Sequence, residues 1–192
     1  PEAVNNYLLR LGWGHGDDEV ISRNEAISWF DLGGIGKSPA RFDMDKLTAI
    51  NSHYISTASD HDIIKMITDA PLTPEIETRL HLLAPAIKER AQLVTDLPVM
   101  AEFALSTKPP EIAEDAKPML DEDMLGRLAK FANAYDQNIT SIQNMNQDEL
   151  KAWLNGWLED QGMKMRDLGP GLRVTLTGKK QAPDIILILA TL

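Results

Sequence analysis

The residues able to do chemistry are few, and their spacing excludes most reactions. His15, His53, His61 and His81 show neither the two-histidine spacing of a helical zinc site nor any other zinc pattern, so each reads as a surface or capping residue. The chain has no cysteine, which removes thiolate metal centres, disulfides and cysteine nucleophiles. No serine stands in a glycine-flanked nucleophile elbow. Gly36-Lys37-Ser38 ends like a phosphate-binding loop, but that motif needs a glycine five residues earlier, where Asp31 stands. A carboxylate there would repel the phosphates it should cradle. Asp17, Asp18 and Glu19 adjoin a glycine-rich loop, where three neighbouring carboxylates face water more readily than they bind a cation. We therefore expect no catalytic residue and no metal site.

Charge is the remaining signal. The chain carries 19 basic and 29 acidic residues, net −10, which as a whole repels a polyanion. The distribution is uneven. Pro109 to Asp160 holds four basic and eleven acidic residues, net −7. Gln161 to Pro183 holds five basic residues (Lys164, Arg166, Arg173, Lys179 and Lys180) against Asp167 alone, net +4. Such a chain can present its basic end to a phosphate backbone. The plainer account of the acidic stretch is a solvated helical face. Trp153 and Trp157 share a stripe with Leu150 and Leu154 and precede Glu159 and Asp160, which marks them as core rather than as stacking platforms for bases.

The elements that must position these residues are nearly all helices. With 192 residues, 43% of them apolar and 25% charged, the chain has the balance of a folded protein of one or two small domains. Val4, Tyr7, Leu8 and Leu11 are spaced for a first helix, and Gly12 stops it. Ser22 with Glu25 forms a capping box, Asp43 and Ser59 are helix caps, and Thr73-Pro74 starts a helix that Pro85 should kink or split. Asn146 with Glu149 caps another helix. Ala40 to Phe42 reads as a short strand. The expected fold is mainly α: a small α+β unit to about Ser56, then an all-helical domain in two parts. Their division is expected near the proline-bearing stretch Ser106–Pro110.

The longest apolar run, Ile185 to Ala190, is far shorter than the ~20 residues a membrane helix needs. No basic stretch leads into an apolar run at the start, and the absence of cysteine fits a reducing compartment, so a cytoplasmic location is expected. The first helix begins at Pro1 without a lead-in, so a piece of a longer chain is expected.

Three stretches resemble one family in order and rough separation. PEAVNNYLLRLGWGHGDDEVIS (Pro1 to Ser22) resembles the segment of bacterial glutamyl-tRNA synthetases after their lysine-bearing signature loop. IGKSPARFDMDKLTAINSHYI (Ile35 to Ile55) resembles their stem-contact region, and GLRVTLTGKKQAPDIILILATL (Gly171 to Leu192) their final anticodon-binding subdomain. The resemblance implies a stem-contact region over 1–56 and helical anticodon-binding subdomains over 57–108 and 109–192. It implies that the parent is a class I ligase joining glutamate to tRNA(Glu) with ATP and Mg. Neither the HIGH-type motif nor the lysine signature loop stands in this sequence, so the chain alone should be catalytically inactive and hold no cofactor. A monomer that binds tRNA, and neither DNA nor a membrane, is expected.

Residue by residue, the resemblance implies tRNA contacts at Lys37, Arg90, Arg173, Thr177, Lys179, Lys180 and Gln181. Arg90, counted back from Asp96-Leu97-Pro98, falls where glutamate-specific members place an arginine that reads the third anticodon base. A planar guanidinium suits such forked hydrogen bonding better than an ammonium does. The simpler alternative is a helix-surface arginine paired with Asp69 or Glu89. Arg173 matches the family's arginine near the anticodon loop; its apolar flanks also fit a residue snorkelling at the core edge. Thr177 to Pro183 matches the loop approaching the anticodon, with Ala182 where some members have threonine. Pro170-Gly171 replaces a more usual Gln-Pro pair, Ser56 stands where an arginine is common, and the sequence stops short of the family's usual last helix. The alternative from another class is a free-standing acidic helical scaffold that binds protein.

Overall fold

The computed structural model describes residues 1–36 and 39–192. Among the described residues there are ten α-helices: α1 (Glu2–Gly12), α2 (Arg23–Trp29), α3 (Met44–Ser56), α4 (Asp60–Ile67), α5 (Pro74–Lys88), α6 (Asp96–Ala101), α7 (Glu122–Ile142), α8 (Gln147–Asp160), α9 (Met165–Thr177) and α10 (Ile185–Thr191). Short 3-10 turns occupy Glu102–Ala104 and Lys117–Met119. The chain divides into two compact units, Pro1–Asp69 with Ala84–Pro98, and Ala70–Leu83 with Val99–Leu192.

The expected α+β unit is corrected by the structure. No β-strand occurs among the described residues, and Ala40 to Phe42 is exposed, irregular chain. A strand exists only by pairing. Pro39 carries no N–H to offer, and the one bridge described, antiparallel between Trp13 and Ile35, is isolated. The segment is fixed by a side chain instead: Asp43 N–H donates to the Tyr7 hydroxyl at 2.5 Å, and Phe42 meets the Tyr7 ring edge-on at 5.2 Å.

The first unit packs α1 on α3 through Ala3, Tyr7 and Ile50, with Leu11, Leu47 and Tyr54 around them. Buried Asn6 fastens the loop between α1 and α2. Its Oδ1 accepts from Ile21 N–H at 2.6 Å and from the Tyr54 hydroxyl at 3.1 Å, while its Nδ2 donates to Glu19 O at 3.0 Å. Every polar atom of that amide therefore has a partner, which is what lets it be buried. Glu19 pairs with Lys46 at 3.0 Å and Arg10 at 3.2 Å. Hydrogen bonding to Lys46 first, then to Arg10, holds its carboxyl below the usual range. Gly34 packs on the buried Trp13 indole so closely that a Cβ there would lie 2.5 Å from Nε1.

The capping residues read from the sequence are in place at α2, α3, α4 and α8, each accepting from a backbone N–H of the first turn. Pro85 does not split the helix; α5 runs through it. Leu83, Ala84 and Ile87 around it are all buried, and that packing offsets the hydrogen bond a proline cannot give.

The second unit centres on α7, α8, α9 and α10. Its core holds Phe131, Leu150, Leu154, Leu158, Leu168, Leu172, Ile185 and Leu189, and half-buried Trp153 and Trp157 pack against it. Both tryptophans meet Phe131, at 6.1 and 5.4 Å between ring centres, so they serve the core as their stripe predicts. Helix α9 lies close to α7 because Gly171 faces Met124: a Cβ there would come 2.3 Å from the sulfur. Pro170 and Gly171 thus sit inside a helix, and Arg127 donates to Asp167 O at 2.9 Å across the same contact.

Candidate nucleic-acid interface

Five of the residues matched to tRNA contacts fall on one short path, the last turns of α9 and the loop after it. The loop is built by Gly178. Its φ of +75° makes the left-handed cap of α9, and its N–H donates to Val174 O at 2.8 Å. Its carbonyl accepts from Ala113 N–H at 2.9 Å, which lays the loop along the segment 111–115. A side chain at Gly178 would meet Glu111 O at 2.2 Å.

Thr177 is buried, and its hydroxyl works within the loop. It donates to Arg173 O at 2.7 Å and accepts from Lys179 N–H at 3.3 Å. It positions the loop from inside.

Lys179 and Lys180 are each partly exposed, and each ammonium already has a carboxylate. Lys179 pairs with Glu102, and Lys180 with Asp115 at 3.3 Å. Gln181 is exposed beside them. The acidic stretch is therefore more than a solvated face: one of its carboxylates, Asp115, neutralises the basic loop. Glu102 and Asp115 were missed in the sequence; complementary charge of the two stretches was a signal for Asp115, and nothing local signalled Glu102.

Arg173, half-buried in the penultimate turn of α9, enters none of the ion pairs described. Its Nε is buried with no hydrogen-bond partner among the described residues. A buried guanidinium N–H without an acceptor is costly. Chemically, this path offers one unpaired guanidinium, two neutralised ammonium groups and one exposed amide, all donors suited to nucleic acid.

Arg90 belongs to the first unit. It lies exposed in the turn after α5, its N–H bonded to Ile87 O at 3.0 Å. The turn is secured to α3: Asn51 donates to Gln92 O at 2.7 Å and Ser52 to Ala91 O at 3.1 Å. Asp96 accepts from the N–H groups of Gln92 and Leu93 at 3.0 and 2.8 Å. The ion pairs described nearby, Lys88 with Asp60 at 2.7 Å among them, leave Arg90 out, and pairing with Asp69 or Glu89 is not seen. Its guanidinium is presented on a rigid turn. Lys37 lies outside the described residues.

Among the described residues there is no cluster of three or more metal-ligating side chains, and no helix is long and apolar enough to cross a membrane.

Comparison with known proteins shows which family the chain resembles. A family model described as "Anticodon binding domain" matches residues 46–192, which includes Arg90 and the whole Arg173–Gln181 path. The chain is 38% identical over 198 residues to glutamate–tRNA ligase 2 of Rhizorhabdus wittichii, covering 100% of this chain and 41% of that protein. It is 35% identical, with the same coverage, to the glutamate–tRNA ligase of Caulobacter vibrioides. The chain thus spans about two fifths of the length of the curated relatives it matches. The crystal structure of a glutamate tRNA ligase from Elizabethkingia meningosepticum shares the fold, with a TM-score of 0.72 at 24% identity over 100% of this chain and 38% of that one. The chain belongs to the anticodon binding domain family, and over its whole length it corresponds to part of a bacterial glutamate–tRNA ligase.

Proposed function

We propose that this chain is the tRNA-binding part of a glutamate–tRNA ligase, making stem and anticodon contacts. The observation that carries the reading is the family match across 46–192, which spans the exposed Arg90 turn and the Arg173–Gln181 path. Arg90 and Arg173 supply forked donors for base edges. Lys179, Lys180 and Gln181 supply backbone contacts, as does Lys37 within a stem-contact region over 1–56. Thr177 shapes the loop. The stretches 57–108 and 109–192 form the two anticodon-binding subdomains. In the full-length ligase, ATP and Mg serve a separate catalytic part that forms the glutamyl adenylate, and the protein works as a cytoplasmic monomer on tRNA(Glu).

The reading is tested by binding of labelled tRNA(Glu) across a salt series. We expect affinity to fall steeply, with the logarithmic slope growing by about 0.7–0.9 for each phosphate neutralised. Absence of tRNA binding at low salt would sink the reading in favour of an acidic scaffold that binds protein. In the same preparation, glutamate-dependent ATP–pyrophosphate exchange should be undetectable. Appreciable exchange would mean that catalytic groups lie within this chain.

A further inference from the structure

The loop's two lysines are held in a way that bears on how it meets an anion. Glu102, in the turn after α6, pairs with Lys179 from 77 residues away, and Asp115 pairs with Lys180. Both pairs face solvent: the lysine side chains are 41% and 44% exposed, and their carboxylates 65% and 71%. Pairs this exposed are weak and exchange readily with other anions. The loop backbone, by contrast, is fixed without them, through the Gly178 cap, the Ala113 N–H to Gly178 O bond and the Thr177 hydroxyl. The carboxylates therefore govern the availability of the ammonium groups and leave the place of the loop to the backbone.

Resting on the tRNA-binding reading above, we propose that Glu102 and Asp115 are internal competitors for RNA phosphate, setting the affinity of the Lys179–Lys180 loop. A phosphate reaches either ammonium by displacing its carboxylate. That exchange lowers affinity for any polyanion that uses the two ammonium groups, and by the same factor for each. The carboxylates thus tune the phosphate-directed part of the affinity.

The test compares the wild-type chain with Glu102→Gln, Asp115→Asn and the double variant. Probes are tRNA(Glu) transcript and a short oligouridylate, each at low and high salt. Glu159→Gln serves as the control for removing one exposed negative charge elsewhere. We expect each neutralised carboxylate to tighten oligouridylate binding roughly two- to fivefold at low salt, beyond the control, and to steepen the salt dependence. The fold gain for tRNA(Glu) should be of similar size where it uses the same two ammonium groups. Unchanged amide protection at Ala113 and Gly178 would show that the loop is still in place. Gains no larger than that of Glu159→Gln would overturn the proposal, even in a chain that binds tRNA well. If the wild type binds neither probe while the double variant binds oligouridylate, the competition stands and the tRNA reading falls.

Discussion

Gly178→Ala should lower the unfolding free energy of this chain by about 2–5 kcal/mol, because the position denies a side chain twice. The backbone there has φ +75°, a conformation that costs an L-residue about 1–2 kcal/mol. The added Cβ would then fall 2.2 Å from Glu111 O, and that carbonyl has little freedom. Two residues on, Ala113 N–H is bonded to Gly178 O at 2.9 Å, so segment 111–115 cannot withdraw without breaking the contact that seats the loop. Forced overlap of this kind adds about 1–3 kcal/mol. Gly162 is the internal comparison. Its φ is +66°, yet nothing lies within 4 Å of its would-be Cβ, so Gly162→Ala should show the conformational cost alone. Urea unfolding of both variants, with unchanged m-values, measures the difference. Equal losses at the two glycines would show that the Glu111 segment yields, and that the loop is held less firmly than its hydrogen bonds imply.

The sequence was most legible where structure is local. The caps at Ser22, Asp43, Ser59 and Asn146 each satisfy a backbone N–H within three residues, so residue type and spacing were enough to place them. Trp153 and Trp157 were placed correctly in the core by a helical stripe. Legibility failed where distant partners decide. Ala40 to Phe42 has strand-like alternation but finds no neighbouring strand, and a Tyr7 hydroxyl from α1 takes the N–H that follows. Pro85 carries a strong local signal for a break, which the buried residues around it overrule. The interface was legible as a set of cations by resemblance, but their state was not. Lys179 and Lys180 look alike to Arg173 in sequence, whereas in the fold the lysines are neutralised and the arginine is not. Thr177, polar in sequence, is turned inward to hold the loop.

That difference ranks the cations for binding. Arg173→Ala should weaken tRNA(Glu) binding more than any other single change on this path, by about 1–3 kcal/mol or more, taking the range for one good bidentate base contact in duplex DNA. Its guanidinium has no internal carboxylate to leave, so its bonds to RNA break no ion pair. Arg173→Lys keeps the charge but loses the planar fork. If the lysine restores most of the affinity, Arg173 is a phosphate contact; if it restores little, the fork reads a base or grips two oxygens. Helicity must be followed alongside, because the arginine stem is half-buried in α9. Lys179→Ala should do less, weakening all tRNAs alike and flattening the salt dependence, because each phosphate contact Lys179 makes costs it the pair with Glu102. Arg90 supplies the sequence-reading arm of the comparison. Standing exposed on its braced turn, it should cost about 1–3 kcal/mol when changed to alanine, and less against a tRNA altered at the third anticodon base, where the contact is already gone. An equal loss for Arg90→Ala across every anticodon, with the fold intact, would make it a phosphate contact and leave base reading to the end of α9.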